Sequence, residues 1–87
     1  MGIFRAIKRM VTGEVIQKID TTVNGGATTM SLRLKRERSS GDYYVVLAAM
    51  SNGNYQYLAF DRDEFDRFSH AVEAIRNCLK QFPQSDT

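Results

Sequence analysis

Four stretches of the chain read as β-strands, three of them by alternation of apolar and polar residues, and one later stretch repeats with the period of a helix. The first strand-like run, at about 14–23, sets Val15, Ile19 and Val23 on one side, with Gln17 and Thr21 between them. Ile16, Lys18, Asp20 and Thr22 take the other side. The second, at about 28–38, points Met30, Leu32 and Leu34 one way and Thr29, Ser31, Arg33 and Lys35 the other. The third, at about 42–50, is apolar on both faces from Tyr43 to Met50, which suits a central strand or one whose second face is also covered. In the fourth, at about 54–60, Leu58 and Phe60 oppose Tyr55, Tyr57 and Ala59. Turn residues separate the runs: Asn24-Gly25-Gly26, Ser39-Ser40-Gly41-Asp42 and Ser51-Asn52-Gly53-Asn54, the last holding the Asn-Gly pair of a tight hairpin.

After Phe60 the period lengthens. Asp61 is a good N-cap, and Glu64 three residues later completes a capping box. Asp63 suits the positive end of the helix dipole. Phe65, Phe68, Val72, Ile75 and Leu79 then share one stripe with Ala71 beside it, Lys80 suits the last turn, and Phe82-Pro83 closes the element. The expected fold class is α+β: a four-stranded antiparallel meander followed by one long C-terminal helix packed on one sheet face, ββββα. Leu58, Phe60, Met30, Leu32 and Leu34 are the helix's expected partners. The expected organisation is an amphipathic N-terminal segment at 1–12, a single domain at 13–82 and a tail at 83–87.

Length and composition agree with one folded domain. The chain has 87 residues, of which 43% are apolar and 25% charged. A single cysteine, Cys78, and a single histidine, His70, provide neither a disulfide nor a metal-ligand cluster, so no metal and no cofactor is expected. Cys78, three residues after Ile75, reads as a small core residue, and His70 as a half-exposed structural one. No nucleophile–base constellation, dinucleotide fingerprint or phosphate-binding loop is present, so no catalytic residue is assigned and an enzyme is not expected. A lone thiol fits the cell interior without singling out a compartment. The net charge of +2 hides an uneven distribution. Residues 1–60 hold eight basic and four acidic side chains, and residues 61–87 hold four basic and six acidic. Arg33, Lys35, Arg36 and Arg38 form the densest positive run.

A sheet under one helix leaves a second face open, and this is where the function is expected. That face would carry Arg33, Lys35, Tyr55 and Tyr57, with Tyr43 or Tyr44 according to register, and Arg36 and Arg38 beside it. Cations that neutralise phosphates, interleaved with rings that stack on splayed bases, suit a single-stranded nucleic acid, DNA or RNA. Each of these residues taken alone also fits a plain solvated sheet, because strands favour tyrosine for its shape and exposed faces carry Lys and Arg for solubility.

The stretch from Asn54-Tyr55-Gln56-Tyr57-Leu58-Ala59-Phe60 into Asp61-Arg62-Asp63-Glu64-Phe65-Asp66-Arg67-Phe68, preceded by Asp42-Tyr43-Tyr44-Val45-Val46-Leu47, resembles the PUR repeat of the Pur-alpha family. It is also similar to Whirly-like single-stranded-nucleic-acid folds. The resemblance covers about residues 14–81 at the level of architecture. It implies binding of single-stranded DNA or RNA, and, because two such repeats intertwine and this chain holds one, a homodimer. Arg36-Glu37-Arg38-Ser39-Ser40 stands where the family places a Lys-Asn-x-Phe contact, and it lacks the aromatic. A dimer has an independent basis in the modest core of so short a chain without disulfides.

Two other readings compete. The open face or an edge strand could accept another protein by strand addition, which the low net charge favours. The opening Gly2-Ile3-Phe4-Arg5-Ala6-Ile7-Lys8-Arg9-Met10 has the profile of a basic amphipathic helix that could lie on a membrane surface. Gly2 follows the start Met as myristoylation requires, but Ala6 stands where Ser or Thr is needed, so a membrane partner is disfavoured.

Overall fold

The computed structural model describes residues 12–82. The expected segments at 1–12 and 83–87 fall, apart from Thr12, outside the described residues. Strands β1 (Glu14–Val23), β2 (Thr28–Arg36), β3 (Tyr43–Ser51) and β4 (Asn54–Phe60) form one antiparallel sheet in the order β1-β2-β3-β4. Helix α1 (Arg62–Lys80) follows. The ββββα arrangement read from the periodicities is the fold of the chain.

Local chemistry explains each junction. Asn52 and Gly53 both take positive φ, 47° and 78°, the backbone twist that a two-residue hairpin turn between β3 and β4 requires. In the β2–β3 turn, Ser40 Oγ donates to Glu37 Oε1 at 2.7 Å and accepts from the Asp42 N–H at 3.1 Å. At the start of α1 the Glu64 N–H donates to Asp61 Oδ1 at 2.8 Å, and the Asp61 N–H donates to Glu64 Oε1 at 2.9 Å. The capping box is thus made reciprocally. Asp61→Ala is expected to destabilise the chain by about 1–2 kcal/mol, read as a lower urea midpoint with unchanged slope.

Register shows which residues share a face. Leu34 pairs with Val45, and Leu32 with Leu47, which in turn pairs with Leu58; these side chains stand on the side that carries α1. Asp20 pairs with Ser31, Ser31 with Ala48, and Ala48 with Tyr57, all on the reverse side. The β1–β2 register slips between Val15 and Gln17. This bulge moves Val15 opposite Lys35 and so to the reverse side, away from Ile19 and Val23 with which simple alternation grouped it.

The helix covers only one corner of the sheet. Phe60 stacks on Phe68 with ring centroids 5.2 Å apart and meets Phe65 edge-on at 5.8 Å. Beyond this aromatic cluster the helix departs from the strands. Exposure of its apolar stripe climbs from 37% at Phe68 to 71% at Leu79. Leu58 and Ile19, on the same side of the sheet, are likewise exposed, so Leu58 is not the buried helix partner expected of it. Cys78 is exposed as well, rather than a small core residue. The chain accordingly has a radius of gyration of 15.5 Å, where a compact chain of this length has about 12 Å.

The core sits on the other side. Ser31, Val46 and Ala48 are 0% exposed and Tyr44 1%, all in the central strands and all pointing away from α1. Over the central strands this overturns the expectation of an open reverse face, while Tyr55 and Tyr57 on β4 stay exposed there.

Candidate nucleic-acid interface

The structure divides the expected binding residues into three groups. Arg33, Lys35, Tyr55 and Tyr57 do stand on the reverse side of the sheet, as does Tyr44. Lys35, however, is only 6% exposed, so it cannot serve as a surface cation. Its ammonium lies 5.9 Å from the centre of the Tyr44 ring, an attraction between charge and ring face. Burial, and secondarily the charge of Arg33, holds its pKa below the usual 10.5. A lysine with a lowered pKa in the folded state costs stability while it stays charged. That cost is full at low pH and fades as the pH rises through the folded pKa toward 10.5.

Tyr43 forms the second correction. It pairs with Arg36 and shares the helix side with Val45, so of the two tyrosines it is Tyr44 that points to the reverse side. There Tyr44 is buried, and its hydroxyl donates to the Thr12 carbonyl at 2.9 Å. Of the two rings that register left open for the stacking face, the one that stands there is therefore part of the core.

Lys18 and Arg33 are spent partly on local partners. Lys18 Nζ lies 3.4 Å from Asp20 Oδ2, and Arg33 Nε donates to Ser31 Oγ at 3.2 Å. The Asp20 carboxyl is held below its usual 3.8, first by its hydrogen bond with Ser31 and then, against some desolvation, by Lys18 and Arg33. In this row along the β1–β2 side, Asp20 offsets one of the positive charges.

The remaining residues do converge, at the β2–β3 hairpin end of the helix side. Arg36 and Tyr43 are cross-strand partners, and both are exposed. Tyr43 lines a cleft of about 320 Å³ together with Leu34, Val45, Phe65 and Arg62. The Arg36 guanidinium folds along the turn, with Nη2 3.5 Å from where a Cβ at Gly41 would stand. Arg38 is exposed in the same turn. Arg62 was not singled out from the sequence as a binding residue. Its signal was its place directly after the N-cap Asp61, which sets it beside the start of β3. Asp63 and Asp66 flank Arg62 on its other side and bound the positive surface there.

Tyr55 and Tyr57 remain exposed on β4, apart from this cluster. Among the described residues no group of three or more His, Cys, Asp or Glu could hold a metal ion. His70 is largely exposed, with Nε2 3.8 Å from Asp66 Oδ1 one turn earlier on the helix. Among the described residues no helix is long and apolar enough to cross a membrane. No family model matches the chain, and no curated protein or solved structure matches it either.

Proposed function

We propose that the chain is a single-stranded nucleic-acid-binding module that works as a homodimer. The observation that carries the binding half is the exposed Arg36–Tyr43 pair beside the cleft that holds Arg62. Arg36, two residues before Arg38, can follow a phosphate backbone with it while the tyrosine ring receives a base. Stacking of one base contributes about 1–3 kcal/mol and needs no base identity, so the module would bind many sequences. The contact surface lies at the hairpin end rather than across the sheet. Tyr55 and Tyr57 could take further bases only on a strand that rounds the β4 edge.

The dimer half rests on apolar surface that a single copy leaves in water. The distal stripe of α1 runs from Phe68 to Leu79, about 16 Å by the helical rise. The helix side of the sheet offers a groove lined by Met30, Leu47, Ala49, Gln56 and Leu58, with Ile19 exposed farther along. Four strands span about 14 Å from first to last. The free half of one helix therefore has the length to cross the uncovered sheet of a partner, and reciprocal packing closes a two-fold dimer. This agrees with the intertwined pair that the PUR resemblance implies.

Anisotropy titration of labelled single-stranded DNA and RNA oligonucleotides at stepped salt concentrations tests the binding half. Affinity should fall steeply with salt, and Arg36→Ala and Arg38→Ala should each weaken it about tenfold and flatten the salt slope by about 0.7. The exposed apolar surface and the net charge of +2 favour a second reading, a module that binds other proteins. Absence of oligonucleotide binding at low salt, from a sample shown to be dimeric, would favour that reading.

A further inference from the structure

Every residue of β1 is exposed, although the strand pairs with β2 along its inner edge. Its outer edge bounds the sheet, and among the described elements none pairs with it. Helix α1 packs on β3 and β4, toward the opposite margin. A long edge strand presents a row of unpaired backbone donors and acceptors, and it invites a further strand unless something blunts it. The bulge at Ile16 blunts only the first part of this edge. From Gln17 to Thr21 the register with β2 is regular. Over that stretch Ile19 stands on the helix side and is 61% exposed. Lys18 and Asp20 stand on the reverse side, 3.4 Å from each other.

We propose that β1 pairs antiparallel with β1 of a second copy, about a two-fold axis at Ile19, so that two four-stranded sheets join edge to edge. A two-fold axis normal to the sheet keeps each side chain on its own side, and directly opposed residues share a side. The axis therefore passes between a residue and its own mate. The charges choose which residue. At Ile19, Lys18 comes opposite Asp20 of the partner subunit, twice over, and Gln17 comes opposite Thr21 of the partner subunit. An axis one residue earlier opposes Lys18 with its mate, and one residue later opposes Asp20 with its mate; like charges directly opposite destabilise a pair of strands. An axis at Gln17 opposes Asp20 with Glu14, again like charges, and an axis at Thr21 brings no unlike charges together. Exposed ion pairs contribute little each, so the charges select the register while ladder hydrogen bonds and the Ile19 contact hold it. A regular stretch as short as Gln17 to Thr21 makes this the weaker association, formed at higher concentration than the helix interface proposed above. It does not rest on that interface, because it uses the edge of β1 and not the sheet face that the helix of a partner would cross.

Cysteine placement tests the register in the full chain, with Cys78→Ser removing the one native thiol. Opposed Cα atoms of an antiparallel pair lie about 5 Å apart, within disulfide reach, whereas Thr21 and its mate would be offset by about 14 Å along the strands. Under mild oxidation Ile19→Cys chains should therefore link at least about tenfold faster than Thr21→Cys chains. A mixture of Gln17→Cys and Thr21→Cys chains should link the one variant to the other. Ile19→Cys chains that link no faster than Thr21→Cys chains would overturn the proposal. Charge exchange is the second measurement. Lys18→Asp chains alone, and Asp20→Lys chains alone, oppose like charges and should not pair through β1. An equimolar mixture of the two restores both unlike pairs and should sediment as a heterodimer. No association on mixing, or association of either variant alone as strong as that of the unmodified edge, would overturn the proposal. Both measurements are made with Ile75→Asp and Leu79→Asp also present, which removes the helix interface, and circular dichroism checks that the sheet persists. Failure in this background would leave the helix dimer and oligonucleotide binding standing, since each has its own readout.

Discussion

An Ile75→Asp, Leu79→Asp double variant is expected to be monomeric at concentrations where the unmodified chain is a dimer, with its helix and sheet intact. Both side chains are largely exposed in the single copy, so within one chain the change removes almost no packing. In the proposed dimer each of them is buried against the partner sheet. Burying an Ile or Leu contributes about 1.5–3 kcal/mol, and two-fold symmetry doubles every change. Four such side chains are lost per dimer, and introducing carboxylates against Leu58 and Ile19 adds desolvation on top. The expected weakening is at least about 6 kcal/mol, more than four orders of magnitude in the dimer dissociation constant. Light scattering across a dilution series reads it. A double variant that dimerises as tightly as the unmodified chain would remove α1 from the interface. A chain monomeric without any substitution would remove the dimer altogether.

This prediction draws on the one feature that was plain in the sequence and incomplete in meaning. The stripe of Phe65, Phe68, Val72, Ile75 and Leu79 announces a helix with a buried face, and Asp61 with Glu64 announces where it begins. Both are local. Periodicity says that a face must be covered but not by what, and among the described residues the Phe65–Phe68 end alone packs on the sheet. Cys78 was misplaced for the same reason: it follows the stripe, and the stripe is exposed where Cys78 lies.

The sheet was legible to the same depth. Asn52-Gly53 dictates a tight turn, and alternation in β2 and β4 assigns sides correctly to Arg33, Lys35, Tyr55 and Tyr57. The bulge at Ile16 was not legible, because one extra residue leaves no mark in a run with apolar residues of both parities. Between Tyr43 and Tyr44 only the register with Arg36 and Lys35 decides. The burial of Lys35 was beyond reach for a different reason. Alternation places a side chain on a face but carries no information about what lies across that face. The candidate interface shifted from the sheet to the hairpin end on that point and on the side taken by Tyr43.

Tyr44 ties these layers together, and replacing it should produce the largest loss of stability in the chain. It is the largest of the fully buried side chains, it supports Lys35 from below, and its hydroxyl anchors Thr12. Tyr44→Ala is expected to cost about 3–5 kcal/mol, the range for a buried aromatic replaced by alanine. A domain of this length has about 4–13 kcal/mol in total, so the variant would be marginal or unfolded. Tyr44→Phe keeps the ring and removes one hydrogen bond to a carbonyl that water can reach, for about 0.5–1.5 kcal/mol. Urea denaturation at fixed protein concentration measures both, since a dimer makes the midpoint depend on concentration. Gly13 supplies an independent check on the geometry. Its φ of +89° disfavours any side chain, and an added Cβ would meet the Tyr44 hydroxyl and lie 3.2 Å from the Arg36 carbonyl oxygen. Gly13→Ala should therefore cost about 1–3 kcal/mol in the unmodified chain and clearly less in a Tyr44→Phe background, where the hydroxyl is gone but the backbone strain remains. Equal costs in the two backgrounds would mean that the Tyr44 hydroxyl does not sit against Gly13.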